Sequence, residues 1–418
     1  MHDNEKIKID YIAKIEGHAS FLADIVKGEI QKARIEVEEG ARLIEGILIN
    51  RKIEELPEIA SRICGICPTV HYLTSLKAIE SALNVKISEQ TLLLRKLMMT
   101  GQIMTSHSLH LFFFSCPDFL GLESGLELIK KCPVEASYSI KLRDIGNKIT
   151  EIIGGRAVHP LTPTVGGFRK LPKRKDLENL KAACLKLLPE VKRLAQFFLK
   201  LDYPEFERKT DYICLADNKE YAVHNGKIEG LNTKDFLGKI KEIQISESVV
   251  KRTSYRNSYM VGALPRIKNN NQYLNSLAKK IFLESKIQNH YFNPFYNILA
   301  QAIEIVHFLE EAIKLIDNIL EAGIKEEKPE FQVKDGRGIV AMEAPRGLLF
   351  YDVQVAEDGT VSDLNIITPT VQNLANLEKD LEDFENLKDW KKLNKEQKKQ
   401  KIAMLIRAYD PCITCATH

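Results

Sequence analysis

Nowhere in the 418 residues does an uninterrupted apolar run approach the roughly eighteen positions that a membrane-spanning helix needs. The opening Met1-His2-Asp3-Asn4-Glu5-Lys6 is polar and lacks the apolar core of a secretory signal, so the chain is expected to be soluble, with no membrane span of its own. Charge of one sign is scarce as well. Lysine and arginine total 60 against 57 acids, and a net +3 builds no basic field of the kind nucleic-acid binding needs, which excludes DNA and RNA as expected partners. No internal repeat or low-complexity tract is present, and 44% hydrophobic content lets a chain of this length bury a large core. Cysteine is too thin for a disulfide framework. Eight in 418 residues, four of them in two C-x-x-C pairs, fit metal ligation in a reduced compartment, and the cytoplasm is the expected location.

Periodicity divides the chain into parts of one large domain. Alternation such as Ala33-Arg34-Ile35-Glu36-Val37-Glu38 predicts strands between Ile7 and about Ile49, and residues 1–62 read as a β-rich N-terminal part. Residues 63–205 read as helical core: Leu73, Leu76, Ile79 and Leu83 recur at helical spacing, and further helices are expected over 89–114 and 173–200. Turn signals at Asn225-Gly226 and Glu229-Gly230 make 206–270 a strand-rich insertion. Helical core returns in 271–330, where Ile298, Ala302, Ile305, Leu309, Ala312 and Ile316 form one apolar stripe. The last part, 331–418, carries a hairpin signal around Asp358-Gly359 and a lysine-rich run, Lys388 to Lys401, read as a solvated helix face.

The chemistry is concentrated at the two ends. Cys64-Gly65-Ile66-Cys67 and Cys412-Ile413-Thr414-Cys415 each place two thiols close enough to chelate one metal. Zinc ribbons separate such pairs by roughly 15 to 20 residues, whereas roughly 345 intervene here. Pairs so distant meet only inside a large fold, which suits a catalytic metal better than a local staple, and soft thiolates favour zinc, nickel, iron or copper. On spacing alone a structural zinc site and a redox dithiol stay open.

The strings around the cysteines go further. Arg62-Ile63-Cys64-Gly65-Ile66-Cys67 with His71, and Asp410-Pro411-Cys412-Ile413-Thr414-Cys415 with His418, resemble the signatures of nickel-iron hydrogenase large subunits. Glu16-Gly17-His18, Arg42-Leu43-Ile44-Glu45, Ser106-His107-Ser108-Leu109-His110, Gly154-Gly155-Arg156-Ala157-Val158-His159-Pro160 and Glu343-Ala344-Pro345-Arg346-Gly347 extend the resemblance over nearly the whole chain. Lys14 and Asn50 depart from the family's commonest strings, and neither is a metal ligand.

The resemblance implies a mainly α fold with peripheral β (α+β), built on a large helical-bundle core with the chain's ends meeting at the metal site. It implies reversible heterolytic cleavage of dihydrogen at a nickel-iron centre whose iron carries carbon monoxide and cyanide. Cys67 and Cys415 would bridge the metals, and Cys64 and Cys412 would bind nickel alone, with Cys412 the thiolate that takes a proton. Glu16 would relay that proton. Arg346 would lie over the open metal position, oriented by Asp118 and Asp410, and His71 would donate to a bridging sulfur. Glu45 and the terminal His418 would bind magnesium. Cys116, Cys132, Cys184 and Cys214 match no ligand motif. With no spare cysteine motif for a cluster, electrons are expected to leave through iron-sulfur clusters of a small partner subunit. The Cys67-Pro68 continuation and Pro117-Asp118-Phe119-Leu120-Gly121 look most like the cytoplasmic bidirectional group, whose further subunits handle flavin or NAD(P). The alternatives are a membrane-associated uptake large subunit and, in another class, a structural zinc protein or a noncatalytic hydrogenase-like scaffold.

Overall fold

Period-two alternation at the N-terminus produces what it requires, a sheet with one dry face: Ala33 and Ile35 are buried while Glu36 is exposed. In the computed structural model, which describes residues 4–26, 29–245, 248–327 and 329–418, this sheet is β1 (Asn4–Ile9), β2 (Ala19–Val26) and β3 (Glu29–Val37), antiparallel in the order β1-β2-β3.

Helices form the centre. They are α1 (Pro68–Leu83), α2 (Glu89–Leu109), α3 (Pro133–Gly154), α4 (Arg174–Phe198) and α5 (Tyr296–Ala322). Three of the five begin where a cap or proline says they should. Ser88 caps α2 by accepting from the Thr91 N–H, and Pro68 and Pro133 open α1 and α3, where a missing N–H costs nothing. The α5 stripe is buried from Ile298 to Ile316, and α5 packs on both α2 and α4, while α2 also packs on α3. The α2–α3 crossing is close because it is lined with glycine: a Cβ at Gly101 would stand 2.7 Å from the Gly146 carbonyl oxygen. The single helix expected over 89–114 is in fact two pieces. α2 ends at Leu109 and widens into a π-helical turn, His110–Ser115, just before Pro117, which has no N–H to continue the ladder.

The 206–270 stretch holds short two- and three-residue strands and the helix Thr233–Leu237, with Asn225-Gly226 at the end of the connection 217–226 between the paired strands Leu215–Ala216 and Lys227–Ile228. The C-terminal sheet is β4 (Gly336–Ala344), β5 (Gly347–Val355) and β6 (Val361–Ile367), antiparallel throughout. It has one more turn than the hairpin signal suggested. Asp358-Gly359 joins β5 to β6, but Ala344 also pairs with Gly347, which leaves Pro345-Arg346 as a two-residue turn at the sheet's buried end. Gly347, at φ 126°, supplies a backbone conformation that an L side chain rarely adopts. The chain closes with α6 (Pro369–Glu382) and α7 (Lys395–Ala408), the latter started by a capping box between Asn394 and Gln397. Lys391, Lys392 and Lys395 are exposed and Ile402, Leu405 and Ile406 buried, as a solvated face with an apolar reverse requires.

β4 lies directly on α1. A Cβ at Gly338 would fall within overlap distance of the Ala78 carbonyl oxygen in α1, so the helix that follows Cys67 and the strand that leads to Arg346 are in backbone contact. Gly338→Ala is expected to destabilise the fold by about 1–3 kcal/mol through overpacking, measured as a lower midpoint in urea unfolding.

Candidate metal centre

Cys64 follows a 3-10 turn, Ser61–Ile63, in extended conformation, and Cys67 is the residue immediately before α1. The tight loop between them points the Ile66 and Cys67 N–H groups at the Cys64 sulfur, each at 3.3 Å. At the other end, Cys412 pairs as an isolated parallel bridge with Glu16, and the Ile413 N–H donates to the Glu16 carbonyl at 2.9 Å. Thr370 in α6 accepts from the Cys412 N–H at 3.0 Å. Each pair is therefore held in place by hydrogen bonds to its own backbone N–H groups.

The two pairs converge. Cys64 Sγ lies 3.5 Å from Cys412 Sγ, Cys67 Sγ 3.4 Å from Cys415 Sγ, and Cys412 Sγ 2.7 Å from Cys415 Sγ. All four sulfurs lie within 4.8 Å of one another, all four residues are buried, and none is in a disulfide. Burial pushes the Cys412 and Cys415 thiols well up, whereas at Cys64 the opposing burial is outweighed by hydrogen bonds from Cys412, Cys415 and Cys67, which hold it well below the ordinary thiol range. Four such sulfurs in one dry pocket form a soft donor set suited to a thiophilic metal.

Glu16 faces Cys412. Its Oε2 accepts from Cys412 Sγ at 3.0 Å and from the Thr414 N–H at 3.1 Å, and its Oε1 accepts from the Thr414 hydroxyl at 2.5 Å. The role of Thr414, the third residue of a C-x-x-C, depends on the bridge to Glu16 and is encoded by no local pattern. His71, one turn into α1, is buried, and burial pushes its imidazole down to about 3. Its Nδ1 is 2.9 Å from the Tyr351 hydroxyl in β5, and its Nε2 faces Cys415 Sγ at 3.8 Å.

Arg346, on the turn between β4 and β5, donates from Nε to the Asp410 carbonyl at 2.8 Å, and its Nη2 is 3.0 Å from the Asp410 carboxylate. Burial opposes its charge, but Asp410 first and then Cys412, Cys67 and Cys64 outweigh that penalty and keep it firmly protonated. Its Nη1 is buried without a hydrogen-bond partner. The turn is held from behind by Arg266, which donates to the Ala344 and Pro345 carbonyls at 3.0 and 2.9 Å and is itself paired with Glu304 and Glu343.

One expected contact is not made. Asp118 does not orient Arg346: its carboxylate accepts from Lys14 at 2.7 Å and from Arg407 Nη2 at 2.9 Å. Arg407, near the end of α7, bonds both Asp118 carboxylate oxygens, so these are committed to other cations and, among the described residues, Asp410 is the carboxylate that pairs with Arg346. At the base of the cluster, His418 Nδ1 lies 2.6 Å from the Cys415 carbonyl and Nε2 2.9 Å from the Ile366 carbonyl, with the Glu45 carboxylate 3.7 Å away.

Comparison with known proteins agrees with this geometry. The model of the nickel-dependent hydrogenase family matches residues 42–139 and 295–418, the two segments that contain all four cysteines. The chain belongs to this family. Sulfhydrogenase 1 subunit alpha of Pyrococcus furiosus is 35% identical over 99% of the hydrogenase chain and 97% of its own length. Sulfhydrogenase 2 subunit alpha of the same organism is 30% identical over 99% and 98% respectively. Among solved structures, an NAD+-reducing NiFe-hydrogenase in the H2-reduced state superposes with a TM-score of 0.89 at 22% identity, covering 99% of each chain. The Ni-Fe-Se hydrogenase of D. vulgaris Hildenborough gives 0.78 at 23% identity, covering 99% of this chain and 100% of that one. These two likenesses establish the fold. The hydrogenase is thus an oxidoreductase acting on dihydrogen at a nickel-iron centre, and the four-cysteine cluster is where its donor set fits that centre. Among the described residues, no helix is long and apolar enough to cross a membrane.

Asp410→Ala removes the counter-charge of a buried guanidinium and is expected to destabilise the hydrogenase by about 3–5 kcal/mol, read from urea unfolding followed by circular dichroism.

Proposed function

We propose that this hydrogenase holds its nickel on Cys64, Cys67, Cys412 and Cys415, with Cys67 and Cys415 shared with iron, and that Cys412 and Glu16 form the first step of its proton path. The observation that carries the reading is the 3.0 Å contact between Cys412 Sγ and Glu16 Oε2 inside a buried four-sulfur cluster. Two features of the pocket fit the group. The thiol set is soft and closed to water, and Arg346 Nη1 is a buried N–H donor with no acceptor among the protein's own atoms. When bound, the nickel-iron centre, its iron carrying carbon monoxide and cyanide, supplies an open position where dihydrogen is polarised and split heterolytically.

The residues around it supply the rest. Cys412, as a terminal thiolate, keeps more free lone-pair density than a bridging one and receives the proton at Sγ. Glu16 Oε2 lies at hydrogen-bond distance to take it over, and the Thr414 hydroxyl and N–H hold the carboxylate in that orientation. Arg346 presents a fixed cation, so charge developing beside it meets a dipole already in place. His71 is neutral, and with Tyr351 donating to Nδ1 its single N–H sits on Nε2, toward Cys415, where it moderates the sulfur's electron density.

Glu45, His418 and the Ile366 carbonyl are assigned to magnesium. His418 Nε2, the Ile366 carbonyl and the Glu45 carboxylate come together at one place, with Nε2 2.9 Å from the carbonyl and 3.7 Å from the carboxylate. That set combines a carboxylate and a carbonyl oxygen with an imidazole nitrogen, donors that a hard cation would take together with water. Electrons leave to iron-sulfur clusters of a small subunit in the cytoplasm and pass to a soluble acceptor such as NAD(P), a reading supported by the NAD+-reducing enzyme among the structural neighbours.

Elemental analysis of the purified complex is expected to find nickel and iron near one per chain, with none of the nickel retained in Cys412→Ser. Stoichiometric zinc without nickel defeats the assignment. Glu16→Gln is expected to keep both metals and the infrared bands of carbonyl and cyanide while slowing hydrogen-deuterium exchange with solvent by about 100-fold or more. Exchange at the unmodified rate removes Glu16 from the path.

A further inference from the structure

Arg42 takes no part in the chemistry above, yet its guanidinium lies between the two cysteine loops. Nη2 donates at 2.6 Å to the carbonyl of Ile63, the residue immediately before Cys64, and also to the carbonyl of Thr414, the residue immediately before Cys415. Nη1 reaches the Arg62 carbonyl at 3.4 Å, and the Arg42 backbone N–H donates to the Thr417 carbonyl at 2.7 Å. One residue therefore grips the N-terminal loop on one side and the C-terminal loop on the other.

The remaining ties do not do this. Glu16 and Thr370 hold the C-terminal loop, but their bonds go to Cys412, Ile413 and Thr414 and none reaches the Arg62–Cys67 loop. The direct links between the loops are otherwise sulfur to sulfur. A guanidinium whose Nη2 donates to a carbonyl in each loop ties the two backbones together without depending on the sulfurs.

We propose that Arg42 is a positioning residue, a clasp that keeps the two C-x-x-C loops in register and thereby retains the metal. The nickel part rests on the four thiols being its ligands; the clasp itself does not.

The test compares Arg42→Met and Arg42→Lys with the unmodified enzyme in its complete complex. Amide hydrogen exchange is followed over residues 62–67 and 409–418, and nickel release into EDTA is followed separately. Arg42→Met is expected to exchange about tenfold or more faster in both segments, with the Tyr296–Ala322 helix unchanged and nickel release accelerated about as much, and Arg42→Lys to show a smaller acceleration in the same two segments. Lysine rescues in part, because its ammonium can donate to the Ile63 and Thr414 carbonyls that Nη2 now bonds but has no second nitrogen for the Arg62 carbonyl. Should Arg42→Met fail to accumulate, Arg42→Lys carries the same comparison. Unchanged exchange of Arg42→Met in either segment, or acceleration spread equally over the whole chain, overturns the clasp. Exchange repeated on nickel-depleted protein reads the clasp alone, so finding zinc in place of nickel sinks the metal assignment while this measurement still decides the role of Arg42.

Discussion

Gathering four sulfurs into one dry pocket is the constraint to which the other features of this molecule answer. The two pairs are 348 positions apart from Cys64 to Cys412 and come within 3.5 Å of each other. Loop closure on that scale carries an entropy cost that grows only slowly with length, so a large fold can meet it, but the ends must then be anchored by something other than the sulfurs. The Glu16–Cys412 bridge and the α1 N-terminus provide those anchors. Because Glu16 belongs to the bridge by backbone and faces Cys412 by side chain, the same short contact that seats the C-terminal loop also places a carboxylate on a thiol.

Around the sulfurs the protein buries an unusual amount of charge. Arg346 pairs with Asp410, and behind it Arg266 pairs with both Glu304 and Glu343 in a fully buried network that Tyr221 and His107 complete. Burial outweighs the help of Arg266 at Glu343 and pushes its carboxyl up to about 7, whereas Glu304, which receives two bonds from Arg266, is held down below its ordinary range despite burial. Networks of this kind seldom add stability over well-packed hydrophobic residues. Here they fix the Pro345-Arg346 turn, where a displacement of the guanidinium by an ångström would be felt at the metal pocket.

Much of the architecture was legible from residue order. The α5 stripe, the β alternation near Ala33 and the capped, lysine-faced α7 each follow from local period and composition, which is why they appear where expected. The cysteines and Glu16 were legible through the strings that surround them. Two features were not legible, because tertiary contacts add to a local pattern what the pattern does not encode. The helix over 89–114 changes register at His110, whose Nε2 lies 2.7 Å from the Arg407 carbonyl, and the Pro345-Arg346 turn carries no glycine or asparagine signal at its centre. Asp118 illustrates the same limit. Its sequence neighbours place it near the site, but Lys14 and Arg407 claim its carboxylate, and those partners come from opposite ends of the chain.

The sequence by itself determined the donor set, soft thiols in two chelating pairs, and the helical and sheet elements that carry them, because both depend on residue type and short-range spacing. Only the tertiary structure decided which charges face which: Asp410 and not Asp118 on Arg346, Thr414 on Glu16, Tyr351 on His71, and Arg42 across both loops. Each of these contacts joins residues far apart in the chain, and a hydrogen bond's direction and length are fixed by packing that no local pattern of residues encodes.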